Sequence, residues 1–127
     1  MELIAESEMK ITAVIPIPGG STLVSEGNVG KYGKVFASHN LISNSATKNA
    51  GIFDGEARAL MEDGSAIGAS LQGVWRREGQ RIIIHSLDDA SNGDQNYVTI
   101  TADLNEMTTK VKAVSYTHLT LPTIYSV

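Results

Sequence analysis

The sequence contains no cysteine, which excludes disulfide bridges, thiolate catalysis and cysteine-ligated zinc or iron–sulfur centres. Proline and aromatic residues are scarce, and no apolar run is long enough to form a transmembrane helix. The amino-terminal stretch MELIAESEMK carries three acidic residues before its first lysine, so no secretory signal is predicted. These absences together predict a cytoplasmic protein without a membrane span.

Basic residues are also too few and too dispersed for a nucleic-acid surface. The net charge is −4, and the densest basic cluster is the pair Arg76–Arg77. The chain has three histidines, none at the short spacing of metal ligands, and it has no phosphate-binding loop or dinucleotide fingerprint. We therefore expect no nucleic-acid partner, no metal site and no cofactor.

Apolar residues recur with a period of two along nearly the whole chain, which is the spacing of half-buried β-strands. The pattern predicts strands over 9–16, 21–28, 33–42, 51–61, 65–77, 80–87, 96–104 and from 107 onward. Glycine, proline and asparagine mark most of the breaks, and residues 43–50 form one long polar loop where a lid would be expected.

Turn lengths in the second half of the chain predict which residues share a face of the sheet. We take three-residue loops at 62–64 and 91–93, and two-residue turns at Glu78–Gly79 and Asn105–Glu106. One face then carries the apolar side chains: Phe53, Ala57, Ala59, Met61, Ile67, Ala69, Leu71, Trp75, Ile82, Ile84, Val98, Ile100, Ala102, Leu104, Val111 and Ala113. This segregation predicts an all-β fold, an antiparallel up-and-down meander closed into a barrel of about eight strands. A sandwich is the other way to bury such a face.

Two glycine-punctuated segments carry a resemblance to known proteins: EGNVGKYGKVFASHN at 26–40 and GIFDGEARALMEDGSAIGASLQGVW at 51–75. Over residues 9–113, the spacing of strands and glycines resembles that in small closed barrels of the allene oxide cyclase-like and lipocalin-like type. The resemblance implies a barrel that encloses a small apolar ligand. It brings no catalytic motif with it.

Three residues are candidates for catalysis. In the register above, Asp54, Gln72 and His85 form one row across three strands of the polar face, which could orient His85 as a general base. A solvated outer face with cross-strand pairs is the alternative interpretation. His39 is the third candidate, because the apolar alternation around it points it inward, although the opposite parity stays open. An inward imidazole is either a hydrogen-bonded core residue or a functional group.

Trp75, Phe53, His39 and Ser86 are the candidate ligand-binding residues. The register points Trp75, Phe53 and Ser86 inward, and the plainer apolar alternation favours the same for His39. Trp75 could form the floor of a pocket or plug one barrel end. The predicted function is binding of a small apolar or amphipathic molecule, with cyclase or isomerase chemistry as the catalytic form. The alternative is a non-catalytic homo-oligomeric assembly module with a filled barrel.

The last residues follow a different pattern, with no charge and no glycine. Val114 to Thr123 can be encoded as GTC TCT TAT ACA CAT CTG ACG CTG CCG ACG, which closely resembles the transposon end and adapter that tag DNA fragments for sequencing. On this resemblance the natural domain is predicted to span 1–113. Residues 114–127 are then a tail appended by an untrimmed read in an environmental assembly, able to extend the last strand by accident. His118, Tyr116 and Tyr125 are therefore not site candidates.

Overall fold

The computed structural model describes residues 3–44 and 46–116. Its strands are β1 (Leu3–Ile17), β2 (Gly20–Asn28), β3 (Lys34–Ser43), β4 (Ala50–Leu60), β5 (Ala66–Glu78), β6 (Arg81–Ala90), β7 (Gln95–Asp103) and β8 (Thr108–Ser115). A short 3-10 turn, Gly30–Tyr32, links β2 to β3. Within these ranges, no helix is long and apolar enough to cross a membrane.

Each strand pairs antiparallel with the next along the chain, and β8 pairs with β1. The described part of the chain is therefore a closed barrel of eight strands in meander order, which confirms the predicted fold class. Closure removes the exposed sheet edges that would otherwise invite pairing with other chains.

Three of the four predicted turns have the expected register. Gly64 takes a positive φ of 87°, and Ala59 pairs with Ile67 as predicted. The loop at 91–93 places Ser86 opposite Val98, and the β7–β8 turn places Ile100 opposite Val111.

The turn between β5 and β6 was predicted wrongly, because it is formed by Gly79 and Gln80. Gly79 has a φ of 63°, so the left-handed residue occupies the first central position, as in a type II′ turn. The register moves by two residues, which preserves the faces but changes the neighbours. Gln72 pairs with Leu87 and not with His85, so the predicted row does not form.

The first strand begins six residues earlier than predicted. Residues 3–8 pair with β8, and this pairing closes the barrel. Glu6 lies opposite Lys112 and Glu8 opposite Lys110, which places unlike charges side by side on the exterior. Pro16 also remains inside β1, paired with Ser21. Pairing between the two ends of the described barrel is a long-range contact that local patterning does not reveal.

Side-chain size divides the barrel interior into two halves. One end, here called the Trp75 end, has the loops 18–19, 79–80 and 104–107 and the described loop residues 44 and 46–49. The other, the Tyr32 end, has the loops 29–33, 61–65 and 91–94. Large buried side chains fill the Trp75 end: Ile11, Leu23, Leu41, Phe53, Trp75, Ile82 and Ile84. Alanines occupy many interior positions toward the Tyr32 end. An eight-stranded barrel is only wide enough for its side chains to fill, so small side chains leave space there.

Candidate ligand site in the barrel

A cavity of about 100 Å³, partly open to solvent, lies in the alanine-rich half of the barrel. Its walls are mostly apolar and include six alanines: Ala37, Ala57, Ala59, Ala69, Ala90 and Ala113. Arg58 also lines the cavity, and its side chain is 64% exposed, so the space extends to the protein surface. Four other polar residues contribute to the lining, and these are Tyr32, His39, Asp88 and Asn96.

His39 lies inside the barrel on β3, as its apolar parity predicted, and is only 6% exposed. Its ring packs on Phe53, with centroids 5.4 Å apart, and its ring nitrogens have no hydrogen-bond partner within the described ranges. Burial lowers the pKa of His39 to about 4, because the charged form is poorly solvated there. His39 is therefore a neutral imidazole at pH 7, with one donor and one acceptor nitrogen.

Asp88 enters the cavity from β6, two positions after the fully buried Ser86. The Ser86 hydroxyl donates a hydrogen bond to the Asp88 carboxylate. Burial raises the pKa of Asp88 to about 6, and the Ser86 hydrogen bond offsets this only in part. Asp88 has no salt-bridge partner in the described part of the chain.

A chain of hydrogen bonds lies at the rim near Asp88. The Tyr32 hydroxyl donates to Asp94 Oδ2 at 2.7 Å, and Asn96 Nδ2 donates to the Tyr32 oxygen at 2.8 Å. Lys31 Nζ lies 3.1 Å from the same Asp94 oxygen. The Tyr32 hydrogen bond, with the Lys31 contact, lowers the pKa of Asp94. Asp94 is therefore ionised, and its carboxylate is the last acceptor in this series of hydrogen bonds.

Trp75 and Phe53 lie closer to the Trp75 end of the barrel than the cavity does, and they are not part of its lining. The Trp75 indole N–H donates to the carbonyls of Ile42 and Ile52, at 3.2 and 3.1 Å. This side chain plugs the Trp75 end, which was one of its two sequence-based interpretations. The described residues of the long polar loop, 44 and 46–49, lie at that same end, away from the cavity. Phe53 packs against the His39 ring on the side that faces the Trp75 end.

The other two catalytic candidates lie on the barrel exterior in different rows. Asp54 is exposed and accepts a hydrogen bond from Asn40 Nδ2 at 2.9 Å. His85 Nδ1 lies 2.8 Å from the Tyr97 hydroxyl, and its Nε2 lies 3.4 Å from Arg76 Nη1. The structure does not bring Asp54 and His85 together, and neither lines the cavity.

Sequence reasoning missed three of the polar residues at the cavity. Asp88 has the inward parity of Ser86, and Asn96 has that of Val98, so extending the same alternation to the strand ends would have found both. Tyr32 gave no such signal, because it belongs to the 3-10 turn. Four of the six cavity alanines, Ala57, Ala59, Ala69 and Ala113, were predicted to face inward. The space that alanines leave depends on which side chains lie across the barrel.

The structure brings no group of three or more His, Asp or Glu side chains into metal-binding proximity within residues 3–44 and 46–116. Val114 and Ser115 continue β8, opposite Tyr97 and Asn96. His118 and Tyr125, from the predicted tail, lie outside the described residues.

Comparison with known proteins gives no match to any family model, curated protein or solved structure. A barrel fold alone does not identify a function, because one fold supports many activities. The geometry of the cavity is therefore the basis for a functional proposal.

Proposed function

We propose that this protein binds a small, mostly apolar molecule in the cavity at the Tyr32 end of the barrel. The observation that carries the proposal is a cavity of about 100 Å³, partly open to solvent, with apolar walls and a few polar groups. This is the usual composition of a small-molecule site. The sequence resemblance to allene oxide cyclase-like and lipocalin-like barrels supports the same class of function.

The volume limits the ligand to a handful of non-hydrogen atoms. Engineered apolar cavities of about 150 Å³ bind benzene or xenon, so a space of this order is sufficient for a compact apolar group. In a catalytic form, an isomerisation or cyclisation would depend on the shape of the cavity and on its titratable groups His39 and Asp88.

Xenon and benzene binding, followed through the alanine methyl signals in NMR spectra, tests the proposal. Trp75 fluorescence is a poor reporter, since that side chain does not line the cavity. We expect dose-dependent shifts confined to the cavity alanines. Ala69→Leu should abolish them, because the larger side chain fills the space.

The matched control is Ala66→Leu on the same strand. Ala66 is exposed on the exterior and does not line the cavity, so this variant should bind the probes like the wild type. Absence of any shift at saturating xenon, or equal binding by the Ala69→Leu variant, would contradict the proposal.

A second candidate function is homo-oligomeric assembly through the outer surface. Ile42, Ile52 and Val74 are neighbours across three strands and are all exposed, with Ile52 at 66%. A self-complementary contact between two copies would remove this apolar row from water. Analytical ultracentrifugation would show an oligomer that Ile52→Lys dissociates; a wild-type monomer at high concentration would exclude the candidate.

A further inference from the structure

One side of the cavity offers hydrogen-bond acceptors. Asp88 on β6 and Asn96 on β7 are direct cross-strand partners, and both line the cavity. Side chains at such paired positions have Cβ atoms roughly 5 Å apart. Their polar atoms can therefore contact the same ligand group.

The orientation of the Asn96 amide follows from its neighbours. Tyr32 has a single hydroxyl proton, and it is donated to the Asp94 carboxylate. The Tyr32 oxygen must therefore accept from Asn96, so the nitrogen of the amide faces Tyr32. This leaves Asn96 Oδ1 as the free end of the side chain.

Asn96 Oδ1 is buried and accepts no hydrogen bond from the described residues, while the residue as a whole is 6% exposed. A buried acceptor without a donor is costly, typically about 1–3 kcal/mol. A ligand that supplies an N–H or O–H group at this point would remove the cost.

Asp88 adds a negative charge to the same side. Its one side-chain hydrogen bond comes from Ser86, and the residue opposite it on β5 is Leu71. The other charged or titratable groups around the cavity and its rim are His39, Arg58, Lys31, Asp94 and Tyr32, and Asp89 and Tyr116 line an adjoining surface groove with Asp88 and Asn96. Arg58 donates to the Ala57 carbonyl and contacts Glu56, and Lys31 pairs with Asp94, so neither cation neutralises Asp88.

We propose that the ligand is a small alkylammonium ion, with its apolar body against the alanine walls and its ammonium group between Asp88 and Asn96 Oδ1. An ammonium group has three donors and no acceptor, which suits two adjacent acceptors, one of them charged. A carboxylate ligand would meet repulsion from Asp88. This inference rests on the proposed function, because it specifies the class of molecule that the cavity takes.

The test compares propylamine, 1-propanol and propionate by NMR titration at pH 7.5, with xenon as the apolar reference. The three organic probes share the same alkyl chain and differ in the head group. We expect propylammonium to bind about tenfold or more tightly than 1-propanol, since hydrogen bonds to charged groups are the stronger ones. Propionate should bind most weakly.

Two variants test whether Asp88 is the residue responsible for the preference for propylammonium. Asp88→Asn keeps the shape of the side chain and an acceptor for Ser86, and should abolish the preference for propylammonium. Asp89→Asn removes the same charge from the exposed neighbouring position, and should leave the preference unchanged. Acidification of the wild type through about pH 6 should weaken propylammonium binding, because Asp88 becomes protonated, without weakening xenon binding.

The possible failures are distinguishable. Equal or tighter binding of 1-propanol or propionate, or equal effects of the two variants, overturns the ammonium inference while xenon binding upholds the apolar site. Propylammonium affinity that stays constant through pH 6 overturns it also, and this result needs no variant. If neither xenon nor any other probe binds, the proposed function fails together with the inference.

Discussion

The two buried titratable groups at the cavity should oppose each other in the pH dependence of stability. Asp88 has its pKa raised from 3.8 to about 6, so the folded protein binds this proton more tightly than the unfolded chain does. Its contribution to stability therefore increases as the pH falls from about 6 to 4. His39 has its pKa lowered from 6.5 to about 4, so the unfolded chain takes up its proton first. Its contribution decreases over almost the same range.

The two effects have similar magnitudes. At about 1.36 kcal/mol per pH unit, each difference in pKa corresponds to about 3 kcal/mol over its full range. Between pH 7 and pH 4.5 this amounts to about 2 kcal/mol gained through Asp88 and about 2 kcal/mol lost through His39. Between about pH 6 and pH 4, the folded wild type carries this proton on Asp88 and the unfolded chain carries it on His39. The two contributions to the free energy of unfolding therefore cancel.

Variants that lack one of the two groups should reveal how the other makes the free energy of unfolding depend on pH. Relative to the wild type, His39→Leu should gain about 2 kcal/mol of unfolding free energy between pH 7 and pH 4.5, because only the Asp88 contribution remains. Asp88→Asn should lose about 2 kcal/mol over the same interval. The double variant should again parallel the wild type, and it serves as the control for effects unrelated to titration.

Urea unfolding followed by Trp75 fluorescence at several pH values provides the measurement. Differences from the wild type are compared at each pH, which removes the contribution of carboxylates common to all four proteins. Parallel pH profiles for both single variants and the wild type would refute the reasoning, since neither group would then titrate differently in the folded state.

Two further predictions concern the rim and a turn. Tyr32→Phe removes the partner of both Asn96 and Asp94, so we expect a loss of about 1–3 kcal/mol in urea unfolding. NMR titration of the same variant should show a raised pKa for Asp94, because the largest cause of its depression is gone; an unchanged value would contradict the network. Gly79→Ala should cost about 1 kcal/mol through backbone strain alone, as an added methyl meets no neighbour and φ is 63°. Gln80→Ala, the other central position of the turn, is the control, and equal losses would argue against the observed turn register.

Much of the barrel could be predicted from local pattern. Alternation of apolar and polar residues has a period of two in any half-buried strand, and the turns at Gly64 and 91–93 fix the register of their hairpins. These features need only neighbouring residues. They were sufficient to place Phe53, Trp75 and Ser86 inside the barrel, whereas the inward position of His39 was left open until the structure placed it there.

The sequence by itself thus determined most of the strands, the faces of those in the second half of the chain and the absence of cysteine chemistry, since each is a property of composition or short-range order. Only the tertiary structure decided the closure of β1 on β8 and the pairing of Asp88 with Asn96. It also decided that Tyr32, 64 residues away in sequence, fixes the Asn96 amide. Whether small side chains leave a cavity depends on which side chains lie opposite them across the barrel. The role of the alanines as cavity walls therefore follows only from the closed arrangement of the eight strands.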